Sequence, residues 1–465
     1  MDVTPRILGS GRQKSPSVHL VGILGQGMRG LARLYRGRGW DVTGCDRRNV
    51  DQQMSCPVSG GSDRATAPAG ADIDLVVHSV AVSPDHPDLM NARLIGIPVL
   101  ARPQALAQLL AATAARVIAI AGVSGKTTTV ALTAQIYHQL GLSPTLYLGG
   151  EVLGREISYG ECGDLPIAVA EACEVNRAML ALPTSVAAVT SVYWGEHPTS
   201  YDSPEALDLA FAQFAAGAES AVLPSANREL LDRVRDRTDI RPITFGVEAD
   251  AEVRLLEVSH RNEGFRARYG TPRGELTVRT RLHGVHNAMN LAVAIGCHLA
   301  TGSEFDALAE VDYSTLCAPR RRIEFVGRHA GADYYDDYGH NPVQIQTAVQ
   351  VLRRRYPEGR IGAYFLPSGY ERLTAFGDGY VRALALFDLV YLARSITGFE
   401  DTATTADQSR FPETTVDLLR TRGVAAEVRE REDLGFDDFA GCSVVCFLGA
   451  SRLDGHLVAM FDRQR

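Results

Sequence analysis

Short apolar runs alternate along most of the chain with longer segments in which apolar residues recur every three or four positions. The first pattern predicts buried strands and the second predicts amphipathic helices. Residues 18–46 contain a strand, a glycine-rich turn, a helix and a second strand. Further strands are predicted at 74–82 and 97–101, and a helix at 103–112. Such alternation predicts a parallel sheet that binds ligands at the carboxyl ends of its strands.

The alternation continues through the middle of the chain with one interruption. A strand, a loop and a helix surround Lys126, and strands follow at 166–172 and 185–192. From about 243 to 282 the pattern changes to short strands separated by glycine turns, which predicts a small antiparallel insertion. A helix at 286–300 is predicted to follow it.

From about residue 318 the alternation of strands and helices starts again. The predicted elements are strands at 332–339, 361–367, 389–394 and 443–449 and helices at 342–355 and 376–386. We therefore predict an α/β protein of three domains, as the length of 465 residues allows. Its parts are a flexible tail (1–17), a Rossmann-like N-terminal domain (18–112), a central P-loop ATPase-like domain with a parallel sheet and the antiparallel insertion (113–316), and a C-terminal Rossmann-like domain (317–465).

The amino-acid composition disfavours nucleic acid and membranes as binding partners of this protein. The net charge of -8 gives no field that would attract nucleic acid or an anionic membrane. No segment approaches the roughly 20 apolar residues of a membrane helix, and the polar character of residues 1–17 favours a loose tail over a signal peptide. Eight cysteines are scattered without a Cys-X-X-Cys pair, which favours reduced thiols over a disulfide framework or a zinc site. These features predict a cytoplasmic protein, monomeric or homodimeric, that acts on small molecules.

A phosphate-binding loop is predicted at "AGVSGKTTTV", residues 121–130. Its backbone N–H groups at a helix N-terminus suit the β-phosphate of ATP, Lys126 suits the β- and γ-oxygens, and the Thr127 hydroxyl suits Mg2+. The usual pattern has glycine five residues before Gly125, where this chain has Ile120. The predicted ATP-binding residues of the loop are Gly122, Ser124, Gly125, Lys126, Thr127 and Thr128.

The use of lysine supports this prediction. Among 47 basic residues only Lys14 and Lys126 are lysines, and the rest are arginines. A compact ammonium group fits between phosphate oxygens where a planar guanidinium is too large. A lysine retained by chance is the alternative interpretation.

A second glycine-rich turn, Gly25 to Gly30, fits the pattern Gly-X-Gly-X-X-Gly and is followed by Asp46 near the distance of a ribose contact. Alone it suits NAD or another diphosphate, so an NAD-dependent oxidoreductase is one alternative function. That alternative explains neither Lys126 nor the acidic strand end at Asp336 and Asp337. A nucleotide-binding subunit without catalytic activity is another alternative.

Several motifs in order along the chain resemble those of the Mur ligases, which build the peptide of bacterial cell-wall precursors. The resemblance extends from about Val18 to the C-terminus. Within the family the alanine-adding branch is the most similar, because its sister ligases use a carbamylated lysine and this chain has no lysine after 126. The motifs are Gly25-Gln26-Gly27-Met28, the loop at 122–129, "EACE" (171–174), "GEH" (195–197), "GVHNAMN" (284–290), "RRRIE" (320–324) and "DDYGHNP" (336–342).

The resemblance implies an ATP-dependent amide ligase that acts through an acyl phosphate. It would join an amino acid to the carboxylate of a UDP-N-acetylmuramate-like donor, with ATP and Mg2+ as cofactors. Glu171 and His197 would hold the metal with Thr127. One arginine among Arg320, Arg321 and Arg322 would contact the γ-phosphate.

The remaining site residues are also implied by the resemblance. Asn287 and Asn290 would read adenine, Asp336 or Asp337 would hold the ribose, and His340 would face the acyl phosphate. The implied catalytic residues are Lys126, His197, His340 and Arg321, and the substrate-binding residues are Gly25, Gly27, Met28, Asp46, Ser79, Asn341, Tyr370 and Arg372. An asparagine near a helix start can instead be a cap, a loop histidine can make ordinary hydrogen bonds, and arginines in a run are often solvated.

The chain departs from the family pattern mainly around the two substrates. Leu24 and Gln26 stand where the turn usually has small residues, Cys173 and Asn176 replace aspartates, and residues 367–370 lack the family's His-Arg pair. The alternative within this chemistry is therefore a diverged amide ligase of specialised metabolism, which uses a different carboxylate and amine.

Overall fold

A computed structural model describes residues 15–46, 58–60, 73–152, 158–194, 200–261, 263–394, 410–450 and 454–462. The chain forms three α/β domains, each with its own sheet. No helix among these residues is long and apolar enough to span a bilayer.

The N-terminal domain has a parallel sheet with the strand order β3-β2-β1-β4-β5. β1 lies at its centre, so the apolar run that forms it is covered on both faces. Val18 and Leu20 face the core under α1 and α3, while Val21 and Cys45 face Leu89 of α2 on the other side. The elements are β1 (Ser17–Val21), α1 (Gln26–Gly37), β2 (Asp41–Asp46), β3 (Val58–Gly60), β4 (Leu75–His78), α2 (Pro87–Leu94), β5 (Val99–Ala101) and α3 (Arg102–Thr113).

The central domain has a sheet of ten strands in the order β15-β14-β13-β12-β11-β10-β6-β9-β7-β8. β6 lies inside it and leads through the loop at 122–125 into α4. The first part comprises β6 (Arg116–Ala121), α4 (Lys126–Gln139), β7 (Thr145–Glu151), β8 (Ser158–Glu161), β9 (Ile167–Glu171), β10 (Val186–Val189), α5 (Pro204–Ala216), β11 (Ser220–Pro224) and α6 (Arg228–Arg235). The second part comprises β12 (Ile243–Gly246), β13 (Val253–Arg261), β14 (Gly264–Thr271), β15 (Gly274–Thr280), α7 (Val285–Ala300) and α8 (Phe305–Glu310).

The C-terminal domain has a six-stranded sheet in the order β16-β17-β21-β18-β19-β20, in which only the β16–β17 pair is antiparallel. α9 begins at Pro342 with Asn341 as its cap, because the Asn341 Oδ1 atom accepts the Gln344 N–H at 2.9 Å. The elements are β16 (Glu324–His329), β17 (Ala332–Asp337), α9 (Pro342–Arg355), β18 (Ile361–Phe365), α10 (Tyr370–Phe376), α11 (Asp378–Leu384), β19 (Leu389–Leu392), α12 (Phe411–Thr421), β20 (Ala425–Val428), β21 (Val444–Leu448) and α13 (Asp454–Asp462).

The predicted three-domain α/β fold is confirmed, with differences in detail. The helix predicted at 376–386 is α11, which is shorter (Asp378–Leu384). A further helix that was not predicted, α10, precedes it, and the two are separated at Gly377, whose φ of 37° breaks helical geometry. The insertion predicted at 243–282 extends the central sheet. β12 pairs parallel with both neighbours, and only β13 to β15 are antiparallel to each other. Of the predicted tail, residues 1–14 lie outside the described residues, while Ser17 already begins β1.

Candidate functional site

The phosphate-loop candidate connects β6 to α4 and depends on two glycines with positive φ. Gly122 has a φ of 135°, and a Cβ there would lie 2.1 Å from the Thr190 Oγ1 atom. Gly125 has a φ of 88°, and a Cβ there would lie 2.4 Å from the Asn290 Oδ1 atom. Both positions therefore require glycine. The loop is also braced from β10, because the Thr190 hydroxyl donates to the Ser124 carbonyl at 2.6 Å.

Lys126 begins α4, and its ammonium group has two anionic or polar contacts. Its Nζ atom lies 2.8 Å from Glu174 Oε2 and donates to the Gly122 carbonyl at 2.6 Å. Burial alone would lower the pKa of Lys126. The nearby carboxylates of Glu174 and Glu171 raise it by more than burial lowers it, so the pKa lies above its usual value. Lys126 is therefore a charged ammonium. Sequence reasoning missed Glu174 as a site residue, although it closes the "EACE" motif.

Thr127 and Glu171 lie together beside this ammonium. The Thr127 hydroxyl donates to Glu171 Oε2 at 2.9 Å, and the Gly149 N–H donates to the same oxygen at 3.0 Å. A hydroxyl and a carboxylate at the start of a phosphate-loop helix are the oxygen ligands that Mg2+ prefers. These two side chains therefore fit an ATP-bound Mg2+. His197, the third predicted ligand, lies outside the described residues.

Asn287 and Asn290 are buried on the first turns of α7. The Asn287 side-chain amide donates to the His283 carbonyl at 2.8 Å, and the Asn290 amide donates to Asn287 Oδ1 at 3.1 Å. Asn290 also lies against Gly125, so this helix reaches the phosphate loop. Burial, with Arg322 and Arg354 nearby, lowers the pKa of His286 to about 4. His286 is therefore neutral at physiological pH.

The three successive arginines lie in three different environments. Arg320 pairs with Glu324 and with Glu151. Arg321 is buried, and its Nε atom donates to Asp336 Oδ2 at 2.9 Å. For Arg322, no hydrogen bond or ion pair to another described residue is found, and its guanidinium lies 5.0 Å from the centre of the Tyr338 ring.

The two acidic residues at the end of β17, Asp336 and Asp337, also have different hydrogen-bond partners. Asp336 is occupied by Arg321 on both carboxylate oxygens. Asp337 accepts the Ile323 and Gly339 N–H groups at 2.8 Å and 2.7 Å. Burial raises the pKa of Asp337, and Arg322 lowers it in part. Both side chains therefore hold residues 321–323 against the end of β17.

The start of α9 contacts the phosphate loop. The Gln344 amide donates to the Ser124 hydroxyl at 3.2 Å, and Tyr193 lies 2.6 Å from the same hydroxyl. The Asn341 amide reaches the Tyr193 hydroxyl at 3.4 Å, and the buried His340 ring contacts the Tyr338 carbonyl at 2.9 Å. The C-terminal domain thus contacts the loop through Gln344, while Asn341 contacts Tyr193 beside it. Gln344 and Tyr193 carried no motif that would have marked them in the sequence.

Arg372 lies on α10, where its Nη1 atom donates to the carbonyl and to the hydroxyl of Ser368 at 3.1 Å and 3.2 Å. Gly369, between them, has a φ of 73°. The side chain of Tyr370 lies outside what the structure describes.

The turn of the N-terminal domain is shaped by contacts with its own sheet. The Leu24 N–H donates to Asp46 Oδ2 at 3.0 Å, and Met28 is buried in the core. Gly25 is the cap of α1. Ser79 follows β4, and its N–H donates to the Val21 carbonyl at 3.0 Å. Asp46 and Ser79 therefore lie at the carboxyl edge of this sheet, while the Met28 side chain faces away from it.

Gly27 and Gly30 serve the contact between two domains. A Cβ at Gly27 would lie 2.7 Å from the Tyr147 hydroxyl and 2.9 Å from Arg102 Nη1. A Cβ at Gly30 would lie 2.7 Å from the Tyr159 carbonyl. The glycine spacing that suggested a diphosphate turn is therefore also required by the packing of α1 against the central domain.

The chain matches known proteins over most of its length. Residues 17–114 match the family model "Mur ligase family, catalytic domain", residues 120–298 match "Mur ligase middle domain", and residues 321–434 match "Mur ligase, glutamate ligase domain". The chain is 34% identical over 387 residues to the UDP-N-acetylmuramate--L-alanine ligase of Acidothermus cellulolyticus, covering 80% of this chain and 79% of that protein.

Two further comparisons extend this result. The protein of the same name from Kineococcus radiotolerans is 34% identical over 429 residues, covering 88% of this chain and 89% of that one. The crystal structure of UDP-N-acetylmuramate-alanine ligase from Thermotoga maritima superposes with a TM-score of 0.78 at 23% identity, covering 96% of this chain and 99% of that one. The structural likeness supports the same three-domain fold.

Proposed function

Because this chain belongs to the Mur ligase family, we propose that it is an ATP-dependent ligase joining L-alanine to the carboxylate of UDP-N-acetylmuramate. The observation that carries the proposal is the phosphate loop itself. This loop is surrounded by Lys126, by the Thr127–Glu171 pair and by the start of α9, which contacts Ser124. Two relatives that carry this name cover 80% and 88% of the chain.

The first chemical step needs charge neutralisation on the transferred phosphoryl group. The donor carboxylate attacks the γ-phosphorus atom, ADP leaves, and an acyl phosphate forms. Lys126 and the N–H groups at the start of α4 would hold the phosphate oxygens, and Thr127 and Glu171 would hold Mg2+. When bound, Mg2+ would neutralise charge on the β- and γ-oxygens.

The second step forms the amide. The amine attacks the acyl carbon, inorganic phosphate leaves, and the amine loses a proton. His340 and Asn341, which precede α9, are the residues we propose to face this reaction. Contact between α9 and the loop would keep water from the acyl phosphate.

Among the three arginines we propose Arg322 as the γ-phosphate contact. Arg320 and Arg321 are each committed to carboxylates, and Arg321 also donates to the Gly449 carbonyl at 2.8 Å. Arg322 is partly exposed and lies near Asp337 and His286, at the junction of the two ATP-binding domains. This assignment replaces Arg321 as the preferred arginine.

We propose a different substrate for each of the three domains. We propose the N-terminal domain (18–112) for the UDP-linked donor, the central domain (113–316) for ATP, and the C-terminal domain (317–465) for the amino acid and for closing the site. Asn287 and Asn290 would face adenine, Asp336 or Asp337 the ribose, and Arg372 the carboxylate of the amino acid. ATP and a UDP-linked donor are nucleotide substrates, so we place the reaction in the cytoplasm.

Ligation with other substrates is less well supported. Cys173, one of the departures, lies within the group formed by Lys126, Glu174 and Arg102. The replacement of an aspartate by Cys173 thus changes a side chain that lines the site, but it does not remove a group that we propose for phosphoryl transfer. The resemblance to ligases named for L-alanine across 80% or more of the chain favours the cell-wall reaction.

The test is phosphate release from ATP and Mg2+ with UDP-N-acetylmuramic acid, supplied with each amino acid in turn. We expect release that depends on L-alanine and is abolished by Lys126→Ala. Arg322→Ala should lower kcat by about 100-fold, because it removes a cation from the developing charge. Arg320→Ala is the matched control and should change kcat by less than about threefold, as expected for a partly exposed ion pair.

Two results would contradict the proposal. Activity of Lys126→Ala within about tenfold of wild type would remove the phosphate-loop assignment. A protein that binds ATP but releases no phosphate with any amino acid would reject this substrate pair.

A further inference from the structure

A second polar cluster lies in the N-terminal domain, away from the phosphate loop. It is made by His19 on β1, Cys45 on β2 and Asp88 in the first turn of α2, and all three side chains are at least 96% buried. Their ligand atoms lie within 4.8 Å of one another. The surroundings are apolar, with Val21, Val76 and Leu89 nearby.

The distances within the cluster are those of a coordination site. Cys45 Sγ lies 3.1 Å and His19 Nε2 lies 3.6 Å from Asp88 Oδ2. Tetrahedral zinc with bonds of about 2.0–2.3 Å places its ligand atoms about 3.3–3.6 Å apart. Small side-chain movements would therefore bring all three atoms onto one ion.

His19 is oriented for this role. Its Nδ1 atom lies 2.9 Å from the Thr43 hydroxyl, while its buried Nε2 atom has no hydrogen-bond partner among the described residues. A metal-binding histidine commonly holds its other ring nitrogen in such a contact, which fixes the ring and its tautomer. The buried Nε2 atom thus faces the Asp88 carboxylate at 3.6 Å without a hydrogen bond, and in the tautomer protonated at Nδ1 its lone pair is directed into the cluster.

We propose that His19, Cys45 and Asp88 form a binding site for a zinc-type divalent cation that is distinct from the magnesium site of ATP. Thiolate and imidazole ligands select Zn2+ over Mg2+, which requires oxygen ligands. A thiolate and a carboxylate neutralise the two charges of the ion, so the complex suits the apolar surroundings. On binding, the Cys45 thiol proton passes to solvent and the Sγ–metal bond forms.

His86 lies beside the cluster and caps α2, because its Nδ1 atom accepts the Asp88 N–H at 3.3 Å. Its Nδ1 atom lies 3.9 Å from Asp88 Oδ2, and a quarter of its side chain is exposed. The ring thus lies between the cluster and solvent, at the cap of α2. The cluster therefore supplies three protein ligands, and a water molecule would take the fourth position of a tetrahedral ion.

The site would act on the substrate turn through Cys45. The Cys45 carbonyl accepts the Gly22 and Ile23 N–H groups at 2.8 Å and 3.1 Å, and the next residue, Asp46, holds the Leu24 N–H. A metal at Cys45 would fix β2, β1 and α2 together directly beneath this turn. The spacing of cysteines along the sequence gave no zinc motif, because the ligands come from separate elements and only one is a cysteine.

Cobalt provides the test, because Co2+ replaces Zn2+ and a thiolate ligand gives it a charge-transfer absorption in the near ultraviolet. The metal-stripped full-length protein is titrated with Co2+ in excess Mg2+, which competes for sites made of oxygen ligands. We expect one equivalent to bind with this absorption, and Zn2+ to displace it. Cys45→Ser should lose the absorption, and Cys442→Ser, which removes a buried thiol of the C-terminal domain, should keep it.

The proposal would be overturned if wild-type protein gave no thiolate-to-cobalt absorption. It would also be overturned if Cys45→Ser gave the same absorption as wild type. A thermal shift guards against misfolded variants: Zn2+ should raise the Tm of wild type and of Cys442→Ser but not of Asp88→Asn. An equal shift in Asp88→Asn would also overturn the assignment.

Discussion

At the scale of single residues, the ion pair between Lys126 and Glu174 is the most consequential contact of the site. We propose that this ammonium binds phosphate, yet here it is paired with a carboxylate at 2.8 Å. Both side chains are largely buried, with 13% and 2% exposure. Glu174 therefore occupies, in charge, the role that a phosphate group takes when ATP binds.

This pairing gives a prediction for Glu174→Gln. Without ATP, the variant leaves a buried ammonium unpaired and should lose about 3 kcal/mol of stability. ATP restores an anionic partner, so it should raise the Tm of the variant by more than that of wild type. Differential scanning calorimetry with and without ATP and Mg2+ measures both values.

The control for this experiment is Glu229→Gln, which removes an exposed ion pair with Arg233. It should cost less than about 1 kcal/mol and leave the ATP-induced shift unchanged. Equal ATP-induced shifts in Glu174→Gln and wild type would show that the phosphates do not take over this lysine.

At the scale of elements, the sequence predicted a strand or helix correctly where its apolar residues follow a single period. The helix predicted at 342–355 is α9 with the same bounds, because Asn341 and Pro342 mark its start. The roles of Arg320, Arg321 and Arg322 could not be separated from sequence, since the distinction depends on distant partners such as Glu151 and Asp336. Glu174 and Gln344 were missed for the same reason.

The packing of α7 on α4 yields a prediction for pH. His298 is fully buried, its Nε2 atom lies 3.0 Å from the Thr133 carbonyl, and its Nδ1 atom lies 3.2 Å from the Ser303 hydroxyl. The carbonyl requires an N–H and Nδ1 can accept, so the neutral ring satisfies both. Burial lowers its pKa to about 4 from an ordinary value near 6.5.

Between these two values the unfolded chain binds more protons at His298 than the folded protein does. Stability is therefore complete above pH 6.5 and is lost as the pH falls toward 4, by about 2 kcal/mol from His298 between pH 7.5 and 5. His298→Gln should make the pH dependence of the urea midpoint shallower. His138→Gln, at the end of α4, is the control and should follow wild type; an unchanged slope in His298→Gln would contradict the prediction.

At the scale of the whole molecule, both terminal domains contact the central one. α1 lies against β7 and β8 through Gly27 and Gly30, and α9 lies against the phosphate loop through Gln344. The Gln344 side chain also accepts the His340 N–H at 3.1 Å. One amide thus connects the ATP loop to the residue proposed to face the acyl phosphate.

Gln344→Ala tests this connection. Loss of the two hydrogen bonds should lower kcat/KM for ATP by about tenfold, with little change in Tm, because the side chain is not part of the core. Gln346→Ala, an exposed residue of the same helix, should keep wild-type kinetics. Initial rates and the radius of gyration from X-ray scattering provide the readouts; unchanged kinetics in Gln344→Ala would show that the contact does not affect turnover.

The scarcity of lysine has a practical consequence for chemical labelling. Lys126 and Lys14 are the two lysines in the chain, and Lys126 is enclosed by Glu174 and the Gly122 carbonyl. An acylating reagent applied to the folded protein would therefore have poor access to Lys126. A nucleotide analogue bearing an aldehyde or sulfonyl fluoride, by contrast, would have one amine within reach of its phosphate end. Peptide mass spectrometry after such labelling would read occupancy of the ATP site from a single peptide.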